Sequence, residues 1–177
     1  QVYKGKFKDR PAAIKTLQTQ MMDAQAKCTL HKEAELLVKL DNLFIVKLYG
    51  ICQKQDELAL VMEYAEGGNL YNFLRSSESI EWKIRFQYAI DIGEGLCYLH
   101  NKDILHNDLK SVNVVIKNGR ALLCDFGFAQ TKLTINQSPL SPTQAQGTTH
   151  WMAPELFTPE GKNTVETDVY SYAIVLW

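Results

Sequence analysis

The segment at residues 66–69, Glu-Gly-Gly-Asn, divides the chain into two parts with different hydrophobic patterns. The part before it consists of short β-prone runs and one stretch, residues 24–40, in which leucines recur at helical spacing. The part after it is mainly helical in pattern. Because paired glycines interrupt regular structure, we place the boundary between two lobes here, with residues 1–65 before it and residues 66–177 after it.

The periodicities predict six short strands, three helices and two turns. Strands are predicted at residues 2–3, 12–14, 45–49, 58–63, 114–116 and 121–123, helices at 24–40, 81–100 and 165–177, and turns at 8–11 and 117–120. In the second helix the spacing predicts a buried face made of Phe86, Ala89, Ile90, Gly93, Leu96 and Leu99. Residues 128–149, rich in Ser, Thr, Gln and Pro, have no clear period and are predicted to form a long functional or mobile loop.

Composition and charge exclude several classes of protein. The 177 residues carry 19 Lys and Arg against 20 Asp and Glu, so the net charge of −1 excludes a protein built around a nucleic-acid or membrane surface. With 46% hydrophobic residues the chain is not disordered throughout. No apolar run reaches the ~18–20 residues of a membrane-spanning helix, and the first residues do not form a signal peptide, which predicts a cytoplasmic location. The four cysteines show no zinc or disulfide spacing.

Three short motifs stand out beside the predicted strands. Residues 12–15, Ala-Ala-Ile-Lys, end a β-prone run with a lysine. Residues 106–113, His-Asn-Asp-Leu-Lys-Ser-Val-Asn, lie between a helix and a strand, and residues 125–127, Asp-Phe-Gly, follow a hydrophobic strand. Taken alone, the first motif is compatible with a solvated lysine, the second with a helix cap and the third with a common turn. Their order along the chain makes them informative together.

In this order the motifs resemble those of the eukaryotic protein kinases, namely the strand lysine of V-A-I-K, the catalytic loop H-R-D-L-x-x-x-N, and D-F-G, followed by A-P-E at residues 153–155. Asp168 resembles the start of the family's central helix. The resemblance covers the chain from Val2 to Trp177. It implies an α+β, two-lobed kinase fold, with a small β-rich N-lobe that contains one helix and a mostly helical C-lobe. We expect this fold to be incomplete at both ends.

The resemblance implies roles in phosphoryl transfer from ATP, a reaction that needs the triphosphate held, its charge neutralised and the acceptor hydroxyl aimed in line. Lys15 would bind the α- and β-phosphates. Glu33, rather than Glu35, would hold that lysine in place. Asp108 would orient the acceptor hydroxyl or take its proton, and Lys110 would neutralise the γ-phosphate as charge develops.

The same resemblance implies metal and nucleotide sites. Asp125 and Asn113 would bind Mg²⁺ through carboxylate and amide oxygens. Asp168 would hold the catalytic loop through backbone N–H groups. The residues that would surround the adenine ring are Val2, Ala13, Met62, Glu63, Ala65 and Val115. The residues that would form an apolar spine between the lobes are Leu37, Leu48, His106 and Phe126.

Two sets of residues bear on the phosphate acceptor. Lys110 and Thr148 are typical of Ser/Thr kinases, whereas residues 63–70 and 151–155 resemble the tyrosine-kinase-like group, near the mixed-lineage and TAK-type kinases. The resemblance therefore implies a Ser/Thr kinase of that group, which acts on protein substrates in intracellular signalling. Tyrosine or dual specificity is the alternative acceptor class.

Departures from the family pattern bear on activity. Asn107 stands where the family has the arginine of H-R-D, and asparagine lacks the charge that binds a phosphorylated activation segment, so activity is expected not to depend strongly on such phosphorylation. Ser138 and Ser141, each followed by proline, are predicted sites for an upstream kinase.

The glycine-rich loop would precede Val2 and further helices would follow Trp177, so the fragment is expected to be a poor catalyst. The main alternative function is a pseudokinase that binds nucleotide or partners, and a small-molecule kinase is the weaker one.

Overall fold

The first part of the chain folds around an antiparallel sheet in the computed structural model, which describes residues 1–16, 24–54, 57–76, 79–131 and 149–177. Within those ranges the sheet has four strands in the order β1-β2-β4-β3. They are β1 (Val2–Phe7), β2 (Arg10–Thr16), β3 (Leu48–Lys54) and β4 (Glu57–Glu63). Helix α1 (Ala24–Lys39) contacts β3 and β4. Thr148, Ser138 and Ser141 lie outside the described residues.

The hairpin of β1 and β2 has a tighter turn than the sequence pattern predicts. The prediction placed the turn at residues 8–11, but only Lys8 and Asp9 form it, and β2 begins at Arg10. Both turn residues have positive φ, 47° and 62°. Two-residue turns with this geometry match the twist of the flanking strands, so the ladder continues into residues that were predicted as turn.

The strand predicted at residues 45–49 begins later, because the backbone before it bonds to the second part of the chain. Val46 donates its N–H to the carbonyl of Leu123 at 2.9 Å, and Leu123 donates its N–H to the carbonyl of Phe44 at 2.7 Å. Strand β3 consequently starts at Leu48. These bonds join the connection after α1 to the core of the second part.

Helices and short strand pairs build the second part. The described helices are α2 (Leu70–Ser76), α3 (Trp82–His100) and α4 (Val165–Leu176), and the strands are β5 (Ile104–Leu105), β6 (Val114–Lys117), β7 (Arg120–Leu123) and β8 (Gln130–Thr131). β5 pairs with β8, and β6 pairs with β7. Because β5 ends just before residues 106–113 and β6 begins just after them, these pairs hold both ends of the catalytic loop. The expected α+β order, a sheet followed by mainly helical structure, is confirmed.

The buried face of helix α3 matches the predicted one in its second half, where Leu96 and Leu99 are buried, but differs from it in the first half. Phe86 and Ile90, predicted to be buried, are 63% and 57% exposed. The buried residues are Tyr88, Asp91, Ile92, Gly95, Leu96 and Leu99. The carboxylate of Asp91 accepts hydrogen bonds from the Arg120 side chain and the Ala121 backbone in β7. A charged residue thus belongs to the buried face, which apolar spacing does not detect.

Of the helices that the structure describes, none is long and apolar enough to cross a membrane.

Candidate active site

Lys15, in β2, lies between two carboxylates that come from distant parts of the chain. Its Nζ donates to Oε1 and Oε2 of Glu33 in α1, at 2.9 and 2.8 Å, and to Oδ1 of Asp125, just after β7, at 2.8 Å. Glu35, two residues further along α1, is exposed. The fold therefore brings the strand lysine, the helix glutamate and the aspartate of Asp-Phe-Gly together. We call these three residues the Lys15 cluster.

The charges of the Lys15 cluster are unbalanced. Burial opposes the charged form of Lys15, but Asp125 and Glu33 outweigh it and raise the pKa of the lysine. Burial raises the pKa of Glu33, and Lys15 offsets this only in part. Burial also opposes ionisation of Asp125, but Lys15 is the main influence that lowers the pKa of this carboxyl overall. The Asp125 side chain is 41% exposed against 2% for Glu33, so an incoming cation can reach the carboxylate that ionises more readily.

Asp108, in the catalytic loop, has its carboxylate fixed by two neighbouring donors. Nζ of Lys110 lies 3.0 Å from Oδ1 and 2.8 Å from Oδ2. Nδ2 of Asn113 donates to Oδ2 and also to the backbone carbonyl of Asp108, both at 2.8 Å. The residue is 6% exposed. A carboxylate held in this way keeps its charge in one orientation, which suits a group that orients a hydroxyl or accepts its proton.

Asp168, in the first turn of α4, fixes the backbone of the catalytic loop. The helix begins with a capping box at Thr164, which orders this turn. Oδ2 of Asp168 accepts the N–H of His106 at 2.8 Å, and Oδ1 accepts the N–H of Asn107 at 2.9 Å. These bonds confirm the predicted contact of Asp168 with the loop backbone. A further contact, from Nε2 of His100 to Oδ2 at 2.9 Å, was not predicted.

His106 is a packed histidine. Its Nδ1 accepts the N–H of Asp108 at 3.3 Å, and its Nε2 lies 3.2 Å from the carbonyl oxygen of Cys124. The ring centroid lies 5.2 Å from that of Phe126, and both side chains are fully buried. Leu37 belongs to the same core, and the partly buried Leu48 packs against that core. His106 thus links the catalytic loop to the Asp-Phe-Gly segment structurally and is not placed to act as an acid or base.

The two predicted metal ligands are joined through the backbone. The N–H of Cys124, next to Asp125, donates to the carbonyl oxygen of Asn113 at 3.0 Å. Asn113 directs its amide nitrogen at Asp108. Carboxylate and amide oxygens are hard ligands, which fit a Mg²⁺ ion shared with phosphate oxygens and water. In the part of the chain that the structure describes, no group of three or more His, Cys, Asp or Glu side chains forms a candidate metal site.

The predicted adenine-binding residues come from both parts of the chain. Val2 pairs with Lys15, and Ala13 pairs with Met62 in the sheet. Because cross-strand partners share a face and alternate residues of a strand do too, these four side chains lie on one face of the sheet. Ala13 is half-buried, and so is Val115 in β6. Three of the predicted adenine-binding residues therefore share the face of the sheet that carries Lys15.

Glu63 and Ala65 lie where the chain leaves β4. The N–H of Glu63 donates to the carbonyl of Lys47 at 2.9 Å, and the side chain accepts the N–H of Lys47 at 2.6 Å. The side chain also forms an ion pair with Lys117 in β6, and its hydrogen bond raises the pKa of that lysine. This ion pair between the two parts was not predicted. Its only sequence signal is the presence of opposite charges at the ends of two β-prone runs.

Cys124 lies directly before Asp125, beside the Lys15 cluster. The residue keeps part of its surface exposed. Burial of the thiol, together with the charge of Asp125, raises the pKa of Cys124 to about 12. The thiol is therefore protonated at neutral pH and a weak nucleophile.

Comparison with known proteins finds similarity over most or all of the chain. The sequence model of the family described as protein tyrosine and serine/threonine kinase matches residues 1–177. The chain is 37% identical over 182 residues to the probable serine/threonine-protein kinase drkD of Dictyostelium discoideum, and the match covers 100% of the chain and 14% of that protein. It is 39% identical over 162 residues to the mitogen-activated protein kinase kinase kinase zak-1 of Caenorhabditis elegans, with 84% of the chain and 21% of that protein covered.

A human relative gives the same result. The chain is 30% identical over 182 residues to the serine/threonine-protein kinase TNNI3K of Homo sapiens, with 99% of the chain and 22% of that protein covered. The chain thus spans less than a quarter of the length of these three relatives. Its whole length matches the family, and the fold brings the motif residues into contact. The chain belongs to the protein kinase family.

Proposed function

We propose that this chain catalyses transfer of the γ-phosphate of ATP to Ser or Thr hydroxyls of protein substrates. The observation that carries the proposal is the Lys15 cluster, in which one lysine joins β2, α1 and the Asp-Phe-Gly segment at 2.8–2.9 Å. The names of the relatives, which are Ser/Thr kinases, support the acceptor class. Mg²⁺, when bound, supplies the positive charge that the phosphates need.

The nucleotide phosphates would bind along the Lys15 cluster. Glu33 keeps the Lys15 ammonium at a fixed point on a rigid strand, where it would contact the α- and β-phosphates. Asp125 and Asn113 would hold Mg²⁺ through oxygen atoms. Because the cluster has two carboxylates and one ammonium, a cation that arrives with the phosphates meets an unpaired negative charge.

The acceptor hydroxyl would bind at Asp108. Its carboxylate is held by Lys110 and Asn113, so it meets the hydroxyl in one orientation and without a reorganisation cost. Lys110 would also contact the transferred phosphate and stabilise the charge that develops on it.

The proposal includes the arrangement of the two lobes. Residues 1–65 would form the N-lobe and residues 66–177 the C-lobe of the kinase domain. Adenine would lie between Val2, Ala13 and Met62 on one side and Val115 on the other, near the backbone of residues 63–65. A role in cytoplasmic signalling, and phosphorylation of Ser138 or Ser141 by an upstream kinase, complete the proposal.

A pseudokinase is the second candidate, and one observation favours it. Asn107 replaces the arginine of H-R-D and cannot provide its positive charge. Against it, the charged and amide groups that phosphoryl transfer requires are retained, and the structure shows the Lys15 cluster and the Asp108 contacts assembled. The residues retained are Lys15, Glu33, Asp108, Lys110, Asn113 and Asp125.

The deciding experiment compares the full-length protein with its Asp108→Asn variant. We expect Mg²⁺-dependent transfer of labelled γ-phosphate from ATP to generic protein substrates, with the label on Ser or Thr, and a fall of about 10²–10⁴-fold in the variant. Asp41→Asn is the matched control, because that carboxylate is 90% exposed and pairs only with Lys47 at 3.4 Å in the described structure. Equal background transfer by all three proteins, with nucleotide still bound, would favour the pseudokinase.

A further inference from the structure

Asn107, which stands where the family has arginine, forms a specific hydrogen bond in this structure. Its side-chain Nδ2 donates to the backbone carbonyl of Phe128 at 3.0 Å, while its backbone N–H is bound by Asp168. Its φ is +62°, a left-handed conformation that asparagine adopts more readily than most residues. The backbone and the side chain of one residue are thus fixed by two different segments.

The Asn107–Phe128 bond joins the two segments that carry the candidate catalytic groups. Asn107 is adjacent to Asp108, and Phe128 lies three residues after Asp125. The pairing of β5 with β8 connects the same two segments nearby, but on the side of β5 it ends at Leu105. The side-chain bond therefore extends this connection toward the active site, to the residue next to Asp108.

The oxygen atom of the Asn107 amide indicates whether the side chain acts as a donor or as an acceptor. Oδ1 of Asn107 is buried and has no hydrogen-bond partner among the residues described. A buried acceptor without a donor costs stability. The N–H donor is consequently the group that asparagine contributes at this position, and its partner is an uncharged carbonyl.

We propose that Asn107 is a positioning residue that sets Asp108 relative to Asp125 through its hydrogen bond to the carbonyl of Phe128. This inference rests on the proposed kinase function, since its effect on rate presupposes phosphoryl transfer. The bond links the loop to the Asp-Phe-Gly segment with no phosphate and no charge involved. Asn107 itself touches neither nucleotide nor acceptor in this scheme.

The test replaces only the donor. Asn107→Asp keeps the side-chain shape but places a carboxylate oxygen against the carbonyl of Phe128. We expect kcat to fall by about 10- to 100-fold at pH 8, while KM for ATP changes less than twofold, because misplacement of catalytic groups affects the chemical step. Protonation of the introduced carboxyl restores an O–H donor, so the ratio of variant to wild-type kcat should rise as the pH falls from 8 to 5.5.

The surroundings of position 107 favour that protonation. The titratable groups around it are its chain neighbours His106 and Asp108, Asp168 of α4, which accepts the backbone N–H of residue 107, and His100 of α3, which contacts Asp168. The two carboxylates disfavour a third negative charge. Asn107→Gly is the matched control, since glycine tolerates the left-handed backbone but supplies no donor at any pH. Its activity ratio should be low and independent of pH.

A second measurement does not depend on catalysis. Amide hydrogen exchange of the peptide spanning residues 125–131 should be faster in Asn107→Asp than in wild type at pH 8, and the difference should disappear at pH 5.5. An activity ratio that stays flat with pH, or unchanged exchange in this peptide, would overturn the inference. If wild type and Asp108→Asn transfer phosphate equally poorly, the proposed function fails, and the exchange measurement still decides whether the bond positions the segment.

Discussion

Two ion-pair groups in this molecule use carboxylates and cations differently. Around Asp91, one carboxylate is surrounded by donors: Nε and Nη2 of Arg120, the N–H of Ala121 and Nε2 of Gln87, at 2.6–3.1 Å. In the Lys15 cluster, one ammonium serves two carboxylates. In the first group the four donors match the roughly four acceptor positions of one carboxylate, and the second group lacks one positive charge.

The difference distinguishes a carboxylate that only holds the structure together from one that can bind a further ligand. Asp91 is fully buried, and burial opposes its ionisation, but the hydrogen bond from Arg120 and those from Ala121 and Gln87 outweigh burial and lower its pKa. Such a saturated carboxylate holds α3 against β7 and has no capacity for a further ligand. Asp125 keeps 41% of its side chain exposed beside a buried, less readily ionised Glu33. An incomplete charge balance at an accessible position is what a cation-binding site requires.

The largest expected effect is at the accessible carboxylate. Asp125→Asn should lower phosphate transfer by about 10²–10³-fold, because it removes a charge that stabilises the bound cation and the transition state. The melting temperature should change little, since Glu33 still pairs with Lys15. Steady-state kinetics at saturating Mg²⁺ and a thermal melt measure the two quantities. A large loss of stability with normal specific activity would place Asp125 with Asp91 as an architectural residue.

The next effect is on stability and concerns Asp91. Asp91→Ala should lower the free energy of unfolding by about 1–3 kcal/mol, because the N–H of Ala121 is left buried without an acceptor. Activity per folded molecule should persist. Denaturant titration measures the change, and Asp41→Ala is the control, since an exposed pair contributes little. Equal stability of the two variants would show that the Asp91 group is not the anchor of α3.

A smaller effect is expected inside the Lys15 cluster. Glu33→Gln keeps the size and one acceptor but removes the charge that holds Lys15, so kcat/KM for ATP should fall about tenfold, the equivalent of about 1.4 kcal/mol. Glu35→Gln should leave it unchanged, because that side chain is exposed on the same helix. A matching loss in both variants would mean that the charge of α1, and not the contact with Lys15, is responsible.

The smallest effect is a difference in pH dependence. Since the folded-state pKa of Asp91 is lowered from its ordinary 3.8, its stabilising contribution is complete above the unfolded pKa and is lost as the pH falls through the folded one. The pKa of Glu33 is raised from 4.5. Protonation of this carboxyl at low pH therefore favours the folded state, which is opposite to the effect of Asp91. Between pH 5 and 3 the free energy of unfolding should therefore decline less steeply in Asp91→Asn than in wild type. Parallel curves from urea titrations at several pH values would contradict this assignment.

The sequence predicts those features that depend on near neighbours. The turn between β6 and β7 was expected from Asn118-Gly119, and both residues have positive φ, 49° and 70°. The spans of α1 and α4 follow their hydrophobic spacing to within a residue or two. The motif residues could be named from the sequence because their residue types and their order resemble those of the protein kinases.

Apart from the β1–β2 turn, whose two-residue geometry is local, the missed features discussed above depend on partners far along the chain. The burial of Asp91 in α3 depends on its partner Arg120, 29 residues later. The contact of Asn107 with Phe128 spans 21 residues, and that of Glu63 with Lys117 spans 54. Hydrophobic periodicity describes one element at a time, so it carries no information about which charged group a distant element will supply.

The long distance between Asp168 and the loop it fixes has a consequence for protein synthesis. The N–H of His106 finds its acceptor 62 residues further along the chain, whereas the β1–β2 hairpin closes across two residues. At a translation rate of about 5–20 residues per second, Asp168 is added about 3–12 s after His106. On the ribosome, the sheet that carries Lys15 can therefore form early. The nascent chain gains a correctly set catalytic loop only once α4 has left the exit tunnel.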